Sequence, residues 1–191
     1  MKKTLSLLCL LAGIVAALAQ PNAVSLQRQQ MLRFTENKGQ WDNRILYRAE
    51  IPNGKLILEK DAFYFVLFSA EDLAHIHHPG NEKVTVHGHA FRQQFVGANA
   101  NASLQPANAF KDYANYYIGN NPRFWASGVK IFQQVNYTNV YDGIDLAIYT
   151  HQNRSLKYDW IVNPGADASK IKVRYTGTDD LRIKNAELHI K

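Results

Sequence analysis

The feature that most constrains this chain is a succession of short β-rich runs, each cut off by turn chemistry before a helix could complete three turns. Ile45-Leu46-Tyr47 leads to Pro52-Asn53-Gly54, a turn signal centred on Asn-Gly. Lys55 to Lys60 alternates apolar and polar, and Phe63 to Phe68 has the length and composition of a buried strand. Residues 83 to 96 read as another extended stretch, and the Ala/Asn-rich segment Asn99 to Asn108 reads as a loop. Val129 to Tyr137, Ile144 to Tyr149, Leu156 to Val162 and Ile171 to Tyr175 are further strand candidates. Asn163-Pro164-Gly165 places Pro and Gly for a type II turn, and Asp142-Gly143 reads as a turn as well. Leu181 to Lys184 and Glu187 to Ile190, split by Asn185-Ala186, read as a terminal hairpin. Ser69 to Ala74 could supply one short helical turn. Eight or more short strands with regular turns predict an all-β, antiparallel sandwich-like domain over residues 34–191. The last residues, Leu188-His189-Ile190-Lys191, stop on a strand pattern, so the domain is expected to be incomplete at its C-terminus.

The first nineteen residues read differently. Met1-Lys2-Lys3 is a basic start, Leu5 to Leu18 is an apolar run, and Ala17-Leu18-Ala19 is an A-x-A cleavage pattern. The run is shorter than the ~20 residues that span a bilayer. A signal peptide over residues 1–19 is expected, with Ala19 and Gln20 flanking the cut and a polar, flexible lead over 20–33. The single Cys, Cys9, lies inside the apolar run and leaves with it. No thiol chemistry or Cys-based zinc site can then operate. Cleavage also removes Lys2 and Lys3, so the formal charge of +6 falls by two. What remains is spread along the chain, weak grounds for an acidic partner and none for a nucleic acid.

Five of the seven histidines, His75, His77, His78, His87 and His89, fall within fifteen positions. Imidazoles two apart on a strand share a face and can suit zinc, nickel or copper. If Pro79-Gly80-Asn81 is a three-residue hairpin loop, His75 faces Thr85, and His75, His77, His87 and His89 gather on one face. The alternative is a plain solvated strand face. It is favoured because no carboxylate supports the imidazoles and Lys83 would repel a cation. No metal or other cofactor is therefore expected.

Other chemistry finds little support. There is no G-x-S-x-G, no H-E-x-x-H and no phosphate loop. Asp142, Asp145 and Asp159 sit near aromatics and leave a hydrolase as a distant alternative. Trp41, Trp125, Trp160 and Tyr116-Tyr117 could form a sugar-stacking platform, although core packing is the more economical reading. The sequons at Asn101, Asn136 and Asn153 matter only in a glycosylating host.

Several segments share an order and spacing: Glu36-Asn37-Lys38-Gly39-Gln40-Trp41, His89-Ala90-Phe91 to Asn99, and Asn115-Tyr116-Tyr117-Ile118-Gly119-Asn120-Asn121-Pro122. Trp125-Ala126-Ser127, Val140 to Leu146, Leu156 to Asp159 and Pro164 to Asp167 follow. Together they resemble the N-terminal domain of unknown function of large secreted bacterial proteins with β-propeller-type (SBBP) repeats. Many of those are associated with gliding motility and type IX secretion. The resemblance implies an exported Gram-negative protein, at the outer surface or released. It supplies no catalytic residue, and His75, His77 and His78 lie outside the matching segments. The expected function is a non-catalytic module for structure, adhesion or assembly, with a protein or polysaccharide partner. A carbohydrate- or metal-binding module is the alternative.

Overall fold

The computed structural model describes residues 31–76, 85–150 and 156–191. Among the described residues, twelve strands and one α-helix follow in chain order: β1 (Phe34–Glu36), β2 (Tyr47–Ile51), β3 (Gly54–Leu58), β4 (Ala62–Phe68), α1 (Ala70–Ile76), β5 (Gly88–Phe95) and β6 (Ser103–Tyr116). β7 (Ala126–Tyr141), β8 (Ile144–Thr150), β9 (Leu156–Val162), β10 (Val173–Thr176), β11 (Leu181–Lys184) and β12 (Glu187–Ile190) complete the set. All pairings are antiparallel, and the all-β expectation holds. One sheet runs β10-β5-β4-β3-β2-β1-β7-β8-β9, with β6 on the far side of β7, and β11-β12 stand as a separate pair.

The long strand β7 joins the two halves of this sheet. Its Ile131 and Phe132 pair with β1, and from Gln134 onward the same edge pairs with β8. β1 and β8 therefore lie end to end along one edge of β7. The junction is closed by the Leu32 N–H, which donates to Thr150 Oγ1 at 2.7 Å. Leu32 is buried and Arg33 pairs with Asp112, so the end of the expected flexible lead is tied to the sheet.

The sheet curls because its inner face is apolar from end to end. Leu56 and Leu58 of β3, Phe63 of β4, Phe95 of β5, Val135 and Tyr137 of β7, and Ile144, Leu146 and Ile148 of β8 are fully buried in one cluster. Burying such side chains stabilises the fold by about 1.5–3 kcal/mol each. Phe63 meets Phe95, Tyr137 and Tyr158 edge to face, and Phe95 meets Trp160. Strands remote in sheet order thus face one another across an aromatic centre. Polar ties follow the same route. Tyr137 OH donates to the Glu59 carbonyl at 2.9 Å, Tyr141 OH donates to the Lys172 carbonyl at 2.9 Å, and buried Gln93 Nε2 donates to Tyr158 OH at 3.2 Å.

The turns mostly match the sequence. Gly165 has φ 86° and the Ala166 N–H returns to the Asn163 carbonyl, as a type II turn requires. Asp142-Gly143 links the Tyr141–Ile144 pair, with Gly143 at φ 70°. At Pro52-Asn53-Gly54 the two turn residues are Pro52 and Asn53, and Asn53 takes the left-handed position at φ 54°. Gly54 already belongs to β3. It must be glycine because a Cβ there would stand 2.2 Å from the Val66 carbonyl oxygen of β4.

Two segments depart from the reading of the sequence. The expected loop Asn99 to Asn108 gives way at Ser103 to β6, a 14-residue strand. Its Ala, Asn and Gln residues have poor strand propensity. Pairing along β7 outweighs that, while Asn108 at φ 55° and irregular register beyond Ala109 relieve the mismatch. The second departure is His75: the short helical turn expected over Ser69 to Ala74 is present as α1, and it runs on to Ile76, so His75 is helical where a strand was expected. Ser69 Oγ accepts from the Asp72 N–H at the helix start, and Glu71 and Asp72 occupy the first turn, where carboxylates suit the helix dipole. Among the described residues no helix is long and apolar enough to cross a membrane.

Candidate functional site

Three of the four histidines of the expected hairpin face, His75, His87 and His89, fall within the described residues, and His75 is helical rather than extended. His75 lies on α1 and is exposed, His89 opens β5 opposite Leu67 and is exposed, and His77 and His78 lie outside the described residues. The His87 backbone N–H donates to Asp72 Oδ2 at 2.8 Å, and its ring Nδ1 sits 2.8 Å from the same oxygen. The backbone bond, then the ring contact, holds the Asp72 carboxyl below its ordinary range. This pins the entry of β5 to the helix. Among the described residues no group of three or more His, Cys, Asp or Glu could hold a metal ion. Ala19 and Gln20 also lie outside the described residues.

The carboxylates are taken up by the fold. Asp145 Oδ1 accepts from the Asn139 N–H at 2.6 Å and fixes a left-handed residue in the irregular stretch of β7. Asp159 Oδ2 accepts from Tyr149 OH at 2.6 Å and pairs with Lys157 at 3.3 Å. Asp142 stands in its turn, 3.6 Å from Lys170 Nζ. A second polar group, unforeseen from the sequence, lies on the outer face. Arg92 of β5 reaches both Glu59 at 2.8 Å and Asp61 at 3.0 Å, and Gln94 Nε2 donates to Asp61 at 3.1 Å. These flank a cleft of about 450 Å³ lined by Asp42, Arg44, Ile57, Glu59, Tyr64 and Arg92. The register Tyr64↔Arg92 and the tight β3–β4 connection create this cluster, and no spacing in the sequence announces it.

The three tryptophans separate into three roles. Trp160 is core, packed on Phe95 and Tyr141. Trp41 is sandwiched by the Arg48 guanidinium, 4.6 Å from its ring centre, and by the edge of Tyr116. Trp125 stands in solvent beside Tyr117, with ring centres 5.9 Å apart and planes at 82°. The single stacking platform does not exist, and one exposed aromatic corner does.

Exposed apolar residues concentrate at two places. Tyr113, Tyr117, Ile118, Phe124 and Trp125 cluster around the β6–β7 connection, and Leu181, Ile183, Leu188 and Ile190 lie on the terminal hairpin. In the hairpin, Leu181 pairs with Ile190 and Ile183 with Leu188, so all four share one face.

The segment Glu36 to Trp41 is a stapled turn. Asn37 Nδ2 donates to the carbonyls of Asp42 and Ile45, and Asn37 Oδ1 accepts from the Gly39 and Trp41 N–H groups. Buried Gln40 donates to the Glu36 carbonyl, and Glu36 Oε1 accepts from the Lys130 N–H of β7. Gly39 has φ 104°, which only glycine adopts freely. These residues build the scaffold.

No curated protein and no solved structure matches this chain. A family model described as a domain of unknown function (DUF7948) matches residues 34–191, from the first residue of β1 onward, and the chain belongs to that family.

Proposed function

We propose that this chain is a non-catalytic module of an exported bacterial protein, acting at the cell surface or in the medium in adhesion or assembly. The observation that carries the reading is the concentration of exposed apolar side chains. Among the described residues, nine of the twelve large exposed ones fall at the end of β6, on the β6–β7 connection or on the terminal hairpin, with Met31, Ile161 and Val162 elsewhere. Exposed apolar surface gathered in patches marks contact sites, whereas single residues do not. The Asp72 and Asp145 carboxylates accept backbone N–H bonds, and Asp159 accepts from the Tyr149 hydroxyl. The signal-like residues 1–19 support export, and the resemblance to proteins with SBBP repeats supports a surface assembly secreted by the type IX route.

The test is the intact mass and location of the native protein, captured with an antibody to residues 20–191. A species beginning at Gln20, on the surface or in the medium, is the expected result. A cytoplasmic species retaining Met1 would overturn the reading.

A further inference from the structure

We infer that the corner formed by Tyr117 and Trp125 is a carbohydrate-binding site that stacks a pyranose ring on an aromatic face. The inference rests on the reading of this chain as a contact module and names the ligand class for one of its two patches.

The first ground is shape. Tyr117 is 60% and Trp125 44% exposed, and their planes stand nearly perpendicular. Two such rings make an angled ledge one ring wide. A sugar ring presents axial C–H bonds, slightly positive, to the negative face of an aromatic ring, while its hydroxyls stay at the rim. A ledge of this kind suits a flat, hydroxylated ring better than a bulky apolar side chain, which needs an enclosed pocket.

The second ground is rigidity. Trp125 Nε1 donates to the Gly119 carbonyl at 3.2 Å, and its backbone N–H donates to the Pro122 carbonyl at 3.0 Å. Between them runs a single 3-10 turn, Pro122–Phe124, capped by Asn121, whose side chain accepts from the Arg123 N–H. Lys38 Nζ donates to the Ser127 carbonyl at 2.9 Å and ties the following residues to the stapled turn. The indole is thus held in one orientation before any ligand arrives. Weak stacking contacts produce measurable affinity only where little ordering remains to be done.

The third ground is the rim. Asn115 Oδ1 accepts from the Gly128 N–H, and Asn121 Oδ1 accepts from the Arg123 N–H. Each amide carbonyl is engaged, which leaves the NH₂ groups as donors, and exposed Asn120 adds a third amide. Amide donors in the same connection as the aromatic pair are the kind of group a hydroxyl-rich ligand requires for orientation. The terminal hairpin presents aliphatic residues on its apolar face and has no Phe, Tyr or Trp, so it lacks this combination.

The experiment titrates the mature protein with cellohexaose, chitohexaose, maltohexaose and mannohexaose. The readouts are calorimetry and the NMR shift of the Trp125 indole N–H. At least one hexaose is expected to bind in the millimolar range or tighter. Trp125→Ala and Tyr117→Ala should each weaken it roughly tenfold or more, about 1.4 kcal/mol, while Leu188→Ala leaves it unchanged. Trp125→Phe, which keeps a ring, should retain part of the affinity and shows that loss in Trp125→Ala is not misfolding. No binding of any hexaose up to about 10 mM would overturn the inference, as would binding that Trp125→Ala leaves intact. Self-association of the sugar-free protein that depends on Trp125, with no hexaose bound, would overturn it in favour of a protein contact. None of these outcomes bears on where the protein is exported, so the two proposals fail separately.

Discussion

Two hairpins in this molecule have nearly the same local design and opposite surroundings. β7–β8 turns through Asp142-Gly143, and β11–β12 turns through Asn185-Ala186. Both alternate apolar and polar residues across a two-residue connection. Ile144, Leu146 and Ile148 of the first are fully buried, whereas every residue of the second is exposed. A lone two-stranded hairpin is marginal in water, so the first is held by its neighbours and the second by its turn and its end. That end is secured by backbone bonds between Lys191 and Asp180 in both directions. The comparison teaches that turn chemistry and alternation specify a hairpin, while its contribution to stability comes from what covers its apolar face.

The comparison can be broken most sharply by truncation. Leu146→Ala should destabilise the protein by about 2–5 kcal/mol, because the cavity forms in a fully packed cluster. Leu188→Ala should stay within about 0.5 kcal/mol. Urea denaturation of the two variants measures the difference, and similar losses would show that the terminal hairpin is covered after all.

High pH should distinguish the buried half next. Burial raises the Tyr137 phenol well above its ordinary value, with the nearby Glu59 and Asp61 charges adding to it. Burial likewise raises Tyr175, Tyr141 and Tyr47. A raised folded value means that the protonated phenol stabilises the fold fully below the unfolded value near 10. That stability is lost as pH rises toward the folded values. Thermal melts should hold steady to about pH 9 and fall above pH 10, and Tyr137→Phe should flatten the fall.

A smaller effect sharpens the exposed half. Ala186 sits at φ 62°, a position that costs a residue with a Cβ roughly 1–2 kcal/mol. Ala186→Gly should slow amide exchange within β11–β12 while leaving the global melting temperature unchanged.

The smallest effect concerns the entry of β5. Asp72 is held low by His87, so its contribution is present above the usual carboxylate value and lost as pH falls through its folded value. The protection of the His87 amide relative to its intrinsic exchange rate should fall below about pH 4, and Asp72→Asn should lower it already at neutral pH.

Where local chemistry dominates, the structure was legible in advance. The terminal hairpin, the Asp142-Gly143 turn, the Asn163–Ala166 turn and β9 fall where turn residues and alternation place them. β6 was not legible, since its residues are poor strand formers and only the length of β7 explains it. The helical turn over Ser69 to Ala74 was legible, but its extension through His75 to Ile76 was not, because a histidine alternation was read there. Trp41, Trp125 and Trp160 could be named as aromatic candidates. Their separation into an edge-to-face pair, an exposed corner and a core residue depends on long-range register, which a linear pattern does not encode. The Arg92–Glu59–Asp61 group was invisible for the same reason.

The end-to-end placement of β1 and β8 on one edge of β7 also sets a folding clock. The Glu36–Lys130 bond spans 94 residues and the Leu32–Thr150 bond 118. Neither half of the sheet can finish its edge until β7 has emerged from the ribosome. Such non-local closure is slow, because the loop entropy is spent before the contacts form. The β2–β5 meander pairs between neighbours in sequence, so it can form early, while the junction at β7 closes last.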